Sequence, residues 1–68
     1  MEPGKCYEIT RATGTVIRFK LLKYVPERRR LEMMDLSSGS LRSCDNLTDA
    51  ELESIKPIQF SERPHNLP

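Results

Sequence analysis

The stretch Gly14 to Val25, "GTVIRFKLLKYV", keeps a two-residue period and then loses it. Ile17, Phe19 and Leu21 fall on one side of an extended chain, with Arg18 and Lys20 on the other. Leu22 and Tyr24 then stand on what had been the polar side. Because strand side chains alternate strictly, a slip of one residue exchanges the two faces. A β-bulge at Leu21-Leu22 absorbs such a slip: one extra residue flips the alternation and sharpens the twist. One long strand can then serve two faces of a curved sheet. The reading is a strand that is bent rather than broken.

Shorter strands are expected around it. Cys6–Arg11 alternates with Tyr7 and Ile9 inward, and Ala12–Gly14 makes a tight turn in which Gly14 can adopt positive φ. Pro26 has no N–H for a ladder, so Pro26–Arg30 reads as a loop carrying three arginines. Leu31–Leu36 is the third strand, with the same stutter at Met33-Met34. Ser37–Gly39 turns the chain into a short fourth strand, Ser40–Asp45. Thr48-Asp-Ala-Glu51 is a capping box, with Leu47 and Leu52 at the staple positions, and it predicts a helix over 49–55. Asp49, Glu51 and Glu53 suit its dipole, so these acids are assigned to helix chemistry rather than to a metal or catalytic pair. Ile58–Phe60 returns as a last strand, and 61–68 reads as a flexible C-terminal tail. The expected core is Tyr7, Ile9, Ile17, Phe19, Leu21, Leu36, Leu41, Leu52, Ile55 and Ile58.

Four strands, a short helix and a fifth strand make a mainly β fold, a five-stranded, partly open barrel over residues 4–60. This order resembles the SH3-like small barrels, the group that includes Tudor and KOW domains. The resemblance is one of architecture and brings no family-specific motif. The long first loop and tryptophan-lined groove of a signalling SH3 domain are absent, since the loop is Ala12–Gly14 and the chain has no tryptophan. Four aromatic residues, most needed inside, supply no methyl-lysine cage either. Sm-like barrels place a helix before the first strand, and none fits before Cys6.

A chain of 68 residues buries about 60% of its unfolded surface, so its core leaves a thin margin. Cys6 and Cys44 form no C-x-x-C pair. They read as two reduced thiols or as one cross-sheet disulfide, and the first fits better because small secreted domains usually carry two to four bridges. No apolar run of membrane-spanning length occurs, and the amino terminus lacks a basic-then-apolar leader. A cytoplasmic protein with no membrane partner is expected. The net charge is +1, yet residues 1–30 hold eight bases against three acids and residues 31–68 three bases against seven acids.

An enzyme is not expected. His65 lies between prolines in the tail, no phosphate loop or metal-ligand spacing occurs, and so small a chain leaves little room for a pocket. No cofactor is implied. Two binding readings remain. One is a protein-interaction module, an adaptor or small regulator or inhibitor, using bipolar charge and an unpaired edge at the fourth or fifth strand. The other is a nucleic-acid-binding barrel whose basic stripe tracks phosphates. Both place the partner contact on Arg18, Lys20, Lys23, Tyr24, Arg28, Arg29 and Arg30. If acids interleave with these bases, the stripe is lost.

Overall fold

The bend in the second strand is present and divides the sheet into two zones. A computed structural model describes residues 1–59. Its strands are β1 (Cys6–Thr10), β2 (Val16–Val25), β3 (Arg30–Asp35), β4 (Leu41–Cys44) and β5 (Lys56–Pro57), with helix α1 (Asp49–Glu53) before the last. All pair antiparallel in the order β4-β3-β2-β1-β5. The sheet is not closed, so β4 and β5 are its two edges and the architecture is mainly β and partly open.

Along β2, residues 16–20 pair with β1, while β3 takes 19–21 and then 23–25. The β2–β3 register shifts between Leu21 and Lys23, which leaves Leu22 as the extra residue. Beyond it Lys23 opposes Glu32 and Tyr24 opposes the buried Leu31. Tyr24 therefore packs against the core, although uninterrupted alternation would have turned it outward.

The core is Tyr7, Ile9, Ile17, Phe19, Leu21, Leu31, Met33 and Leu47, with Tyr24, Cys44, Leu52 and Ile55 packed partly buried against it. Tyr7 and Phe19 are direct register partners, with ring centroids 6.1 Å apart. Five expected core residues (Tyr7, Ile9, Ile17, Phe19, Leu21) are buried, and Leu52 and Ile55 are half-buried against them. Leu36, Leu41 and Ile58 differ. Strand β3 has no bulge at Met33-Met34: Leu31, Met33 and Asp35 alternate inward without a break. The stutter arises because an acid, Asp35, occupies an inward position. Leu36 is consequently half-buried on the outer face, and Leu41, opposite Met34, is 75% exposed. The last strand among the described residues is Lys56–Pro57, starting before the expected Ile58; the Ile58 amide extends it by donating to Cys6 O (3.1 Å). Phe60 and the expected tail lie outside the described residues.

Two carboxylates make these placements possible. Asp35 accepts from the Ser37 amide (2.8 Å), the Ser37 hydroxyl (2.7 Å) and Arg42 Nη1 (3.0 Å), and these bonds, Ser37's first, hold its pKa below the ordinary value. Glu51 completes the capping box: Thr48 Oγ1 accepts from the Glu51 amide (3.1 Å), and Glu51 Oε1 accepts from the Thr48 amide (2.9 Å). Its other oxygen accepts from the Ala12 amide and Arg11 Nε, each at 2.9 Å, so one side chain ties α1 to the β1–β2 turn. Ser54 adds a second tie, accepting from the Thr10 amide (3.0 Å). The bonds from Thr48, Arg11 and Ala12 lower the Glu51 pKa to about 2.

Cys6 and Cys44 are free thiols. Two strands separate them, and Cys44 packs against the core while Cys6 points to the opposite face beside Lys20.

Truncating Phe19 to alanine should cost roughly 3–5 kcal/mol. A thermal melt within a degree or two of the parent would mean that β2 faces the other way. The depressed Glu51 pKa stabilises the fold above the unfolded value of 4.5, and that contribution disappears as pH falls toward about 2. The melting temperature should therefore drop between about pH 5 and pH 2. Glu51→Gln should lower it at pH 7 and flatten the acid slope. Asp35 and Glu8, also depressed, leave a residual slope of the same sign.

Candidate interaction surface

The seven candidate contact residues divide by what holds them. Arg18 stands on the outer face directly opposite Glu8 on β1, and its Nε donates to Glu8 Oε2 (3.1 Å). Glu8 Oε1 meets Lys56 Nζ of β5 at 3.4 Å, so one carboxylate bridges bases from two strands. The Arg18 bond above all, with Lys56 assisting, lowers the Glu8 pKa. Lys20 lies on the same face between Cys6 and Met34. Lys23 is exposed beyond the bulge, opposite Glu32. Tyr24 points to the core side and does not join the basic stripe.

The loop after β2 is a single 3₁₀ turn, Pro26–Arg28, closed by Arg29 in the left-handed region (φ 48°). Arg30 is not in the loop but opens β3. Two backbone bonds fasten this segment to the chain entering α1: Asn46 N donates to Arg28 O (3.2 Å) and Leu47 N to Arg29 O (3.1 Å). The side chains reinforce the seam. Arg29 Nη1 pairs with the Asp49 carboxylate, while Arg30 donates to Asp45 through Nη1 (2.7 Å) and to Glu32 through Nε (3.1 Å). Those two bonds, that of Asp45 first, raise the Arg30 pKa. The loop is thus zipped to the chain entering α1 instead of projecting as a free arginine cluster. Among the described residues, Lys20, Lys23 and Arg28 have no acidic partner within salt-bridge distance.

Part of the charge imbalance between the two halves of the chain is folded away. Arg11, Arg29 and Arg30 of the basic half meet Glu51, Asp49, Glu32 and Asp45 of the acidic half. Arg18 is met from within its own half, by Glu8.

The outer face also carries apolar surface that the sequence had assigned to the core. A groove of about 480 Å³ runs between Leu36 and Ile58 over the Glu8–Arg18 pair, so the chain has more concave surface than its length suggested. A second groove, about 290 Å³, lies at the β4 edge, where Leu22 (44% exposed) and Leu41 (75% exposed) flank Arg30, Glu32 and Ser43. Leu41, expected in the core, is a surface residue, while Leu22 stands on the side that the alternation had given to polar residues. The signal for Leu41 was the unbroken alternation of β3, hidden by the aspartate at an inward site.

Among the described residues, no group of three or more His, Cys, Asp or Glu is placed to hold a metal ion. No described helix is long and apolar enough to cross a membrane. No family model, curated protein or solved structure matches the chain. What it binds must therefore be argued from its surface.

Arg28→Ser should leave stability within about 0.5 kcal/mol of the parent. Arg30→Ser, which frees both Asp45 and Glu32, should lower the melting temperature measurably. Equal melting of the two variants would show that the Arg30 bonds contribute nothing to the seam.

Proposed function

We propose that this chain is a small non-enzymatic binding module of the SH3-like small-barrel kind, acting in the cytoplasm through protein–protein interaction as an adaptor or a small regulator or inhibitor. The order of four strands, a helix and a fifth strand supports the SH3-like likeness. One observation carries the choice of partner class. Acids interleave with the bases that would have formed a phosphate-tracking stripe, so Arg18, Arg29 and Arg30 are already ion-paired. The exposed Leu41 of the edge strand and Leu22 of β2, meanwhile, flank one groove. Single-strand binders stack bases on exposed aromatics, and Tyr24 is turned to the core. An apolar patch rimmed by charge is the usual dress of a protein-contact site.

The second reading, a nucleic-acid-binding barrel, draws on Lys20, Lys23 and Arg28, whose side chains have no acidic partner among the described residues. Fluorescence anisotropy with a labelled single-stranded oligonucleotide and a labelled duplex separates the two. At physiological salt, binding no tighter than the non-specific range of about 10⁻⁴ to 10⁻⁶ M is expected. Tighter binding that falls linearly with log salt, and that is lost in a Lys20→Ser, Lys23→Ser, Arg28→Ser triple variant, would replace the protein-interaction reading with the nucleic-acid one.

A further inference from the structure

The two edges of the sheet are not equivalent. Strand β5 has two residues, and one of them, Pro57, has no N–H to offer a neighbour. Strand β4 is twice as long, contains no proline and ends the sheet on the other side. Its hydrogen-bonding phase follows from one bond: Asp35 N donates to Ser40 O at 2.8 Å. In an antiparallel ladder bonded and non-bonded pairs alternate, so Met33·Arg42 and Leu31·Cys44 are bonded pairs. Leu41 and Ser43 then direct their N–H and C=O groups away from β3, off the open edge. Those backbone groups have no backbone partner among the described residues.

The side chains along this edge specify what would fit. On the outer face stands Leu41, with Leu22 across the shallow groove behind it and Ser43 beside it. On the other face stands Arg42, half exposed, its guanidinium engaging Asp35 through Nη1 alone. Arginine presents five donors in a planar fork, so most of its capacity is unused. Leu41–Cys44 contains no acid, the Glu32 that lines the groove is paired with Arg30, and the exposed Lys23 of β2 stands opposite Glu32.

We infer that the free edge of β4 is a strand-acceptor site for an extended segment of a partner protein in which aliphatic residues alternate with carboxylates. The partner's backbone pairs with Leu41 and Ser43, its aliphatic side chains cover Leu41 on the outer face, and its carboxylates meet Arg42 on the other. Backbone pairing supplies adhesion and the alternating pockets supply selectivity, as in other strand-addition complexes. The inference rests on the protein-interaction reading and narrows it to one edge and one chemical pattern.

A capped octapeptide of alternating valine and glutamate is the probe, titrated into the isotope-labelled full chain and followed by amide NMR with hydrogen exchange. Shifts and new protection should centre on the Leu41 and Ser43 amides. A valine–lysine peptide should bind about tenfold more weakly because it meets Arg42 with like charge. Ser43→Pro removes an edge N–H without removing a β3–β4 bond and should abolish binding. Leu41→Asp, which leaves the ladder intact, gives the same test should the proline disturb folding. No shift at millimolar peptide overturns the site. Shifts centred on Lys20, Lys23 and Arg28 overturn it while leaving a protein-interaction module standing. Protection of Leu41 and Ser43 that grows with protein concentration alone makes the occupant a second copy of this chain and overturns the acidic partner. Absence of peptide binding combined with salt-dependent oligonucleotide binding overturns both readings.

Discussion

One extra residue, Leu22, sets the course of the whole sheet. Before it, β2 is flanked by both β1 and β3; after it, β2 pairs with β3 alone. Without the extra residue, Lys23 would stand opposite Leu31 and drive an ammonium into a fully buried site. Burying an unpaired charge costs far more than one interrupted rung of a ladder. The bulge is therefore the cheaper solution, and it carries Tyr24 to the core in exchange. The strong twist of a bulged strand also brings the far end of β2 round to the segment that leads into α1, where Arg28 and Arg29 carbonyls receive Asn46 and Leu47.

The polar groups then finish what so small a core cannot do alone. Glu51 gathers donors from its own helix start and from the β1–β2 turn, contacts about 40 residues apart in the chain. Asp35 does the same for the turn between β3 and β4. With Arg29 and Arg30 of the seam answered by acids, part of the division of charge between the two halves becomes an internal complement. What remains outward is a modest set of bases and an aliphatic edge.

Local signals were legible where physics is local. The slip in alternation at Leu22 identified the bulge, the Thr48–Glu51 spacing identified the helix start, and Pro26 marked the end of β2. The order of elements followed from these. Ile58 was misplaced because the last strand begins earlier, at Lys56. Leu36 and Leu41 were misplaced for a separate reason: a break in phase was read at Met33-Met34, whereas the charge of the inward Asp35 is satisfied by Ser37 and Arg42 and β3 runs straight through. No local pattern announces a buried carboxylate whose partner lies across a turn. The long-range half of the Glu51 cluster, Arg11 and Ala12, was hidden for the same reason. Of the candidate site, the positions of Arg18, Lys20 and Lys23 on the outer face were read correctly. The pairing of Arg29 and Arg30 with Asp49 and Asp45 depends on the fold and could not be read from spacing.

Cross-strand NMR contacts between β2 and β3 test the bulge most directly, because they report register without altering the chain. With Leu22 as the extra residue, Lys23 should show cross-strand contacts to Glu32, Tyr24 to Leu31 and Val25 to Arg30. An unbulged strand would instead place Leu22 opposite Glu32, Lys23 opposite Leu31 and Tyr24 opposite Arg30, and observing that set would contradict the account.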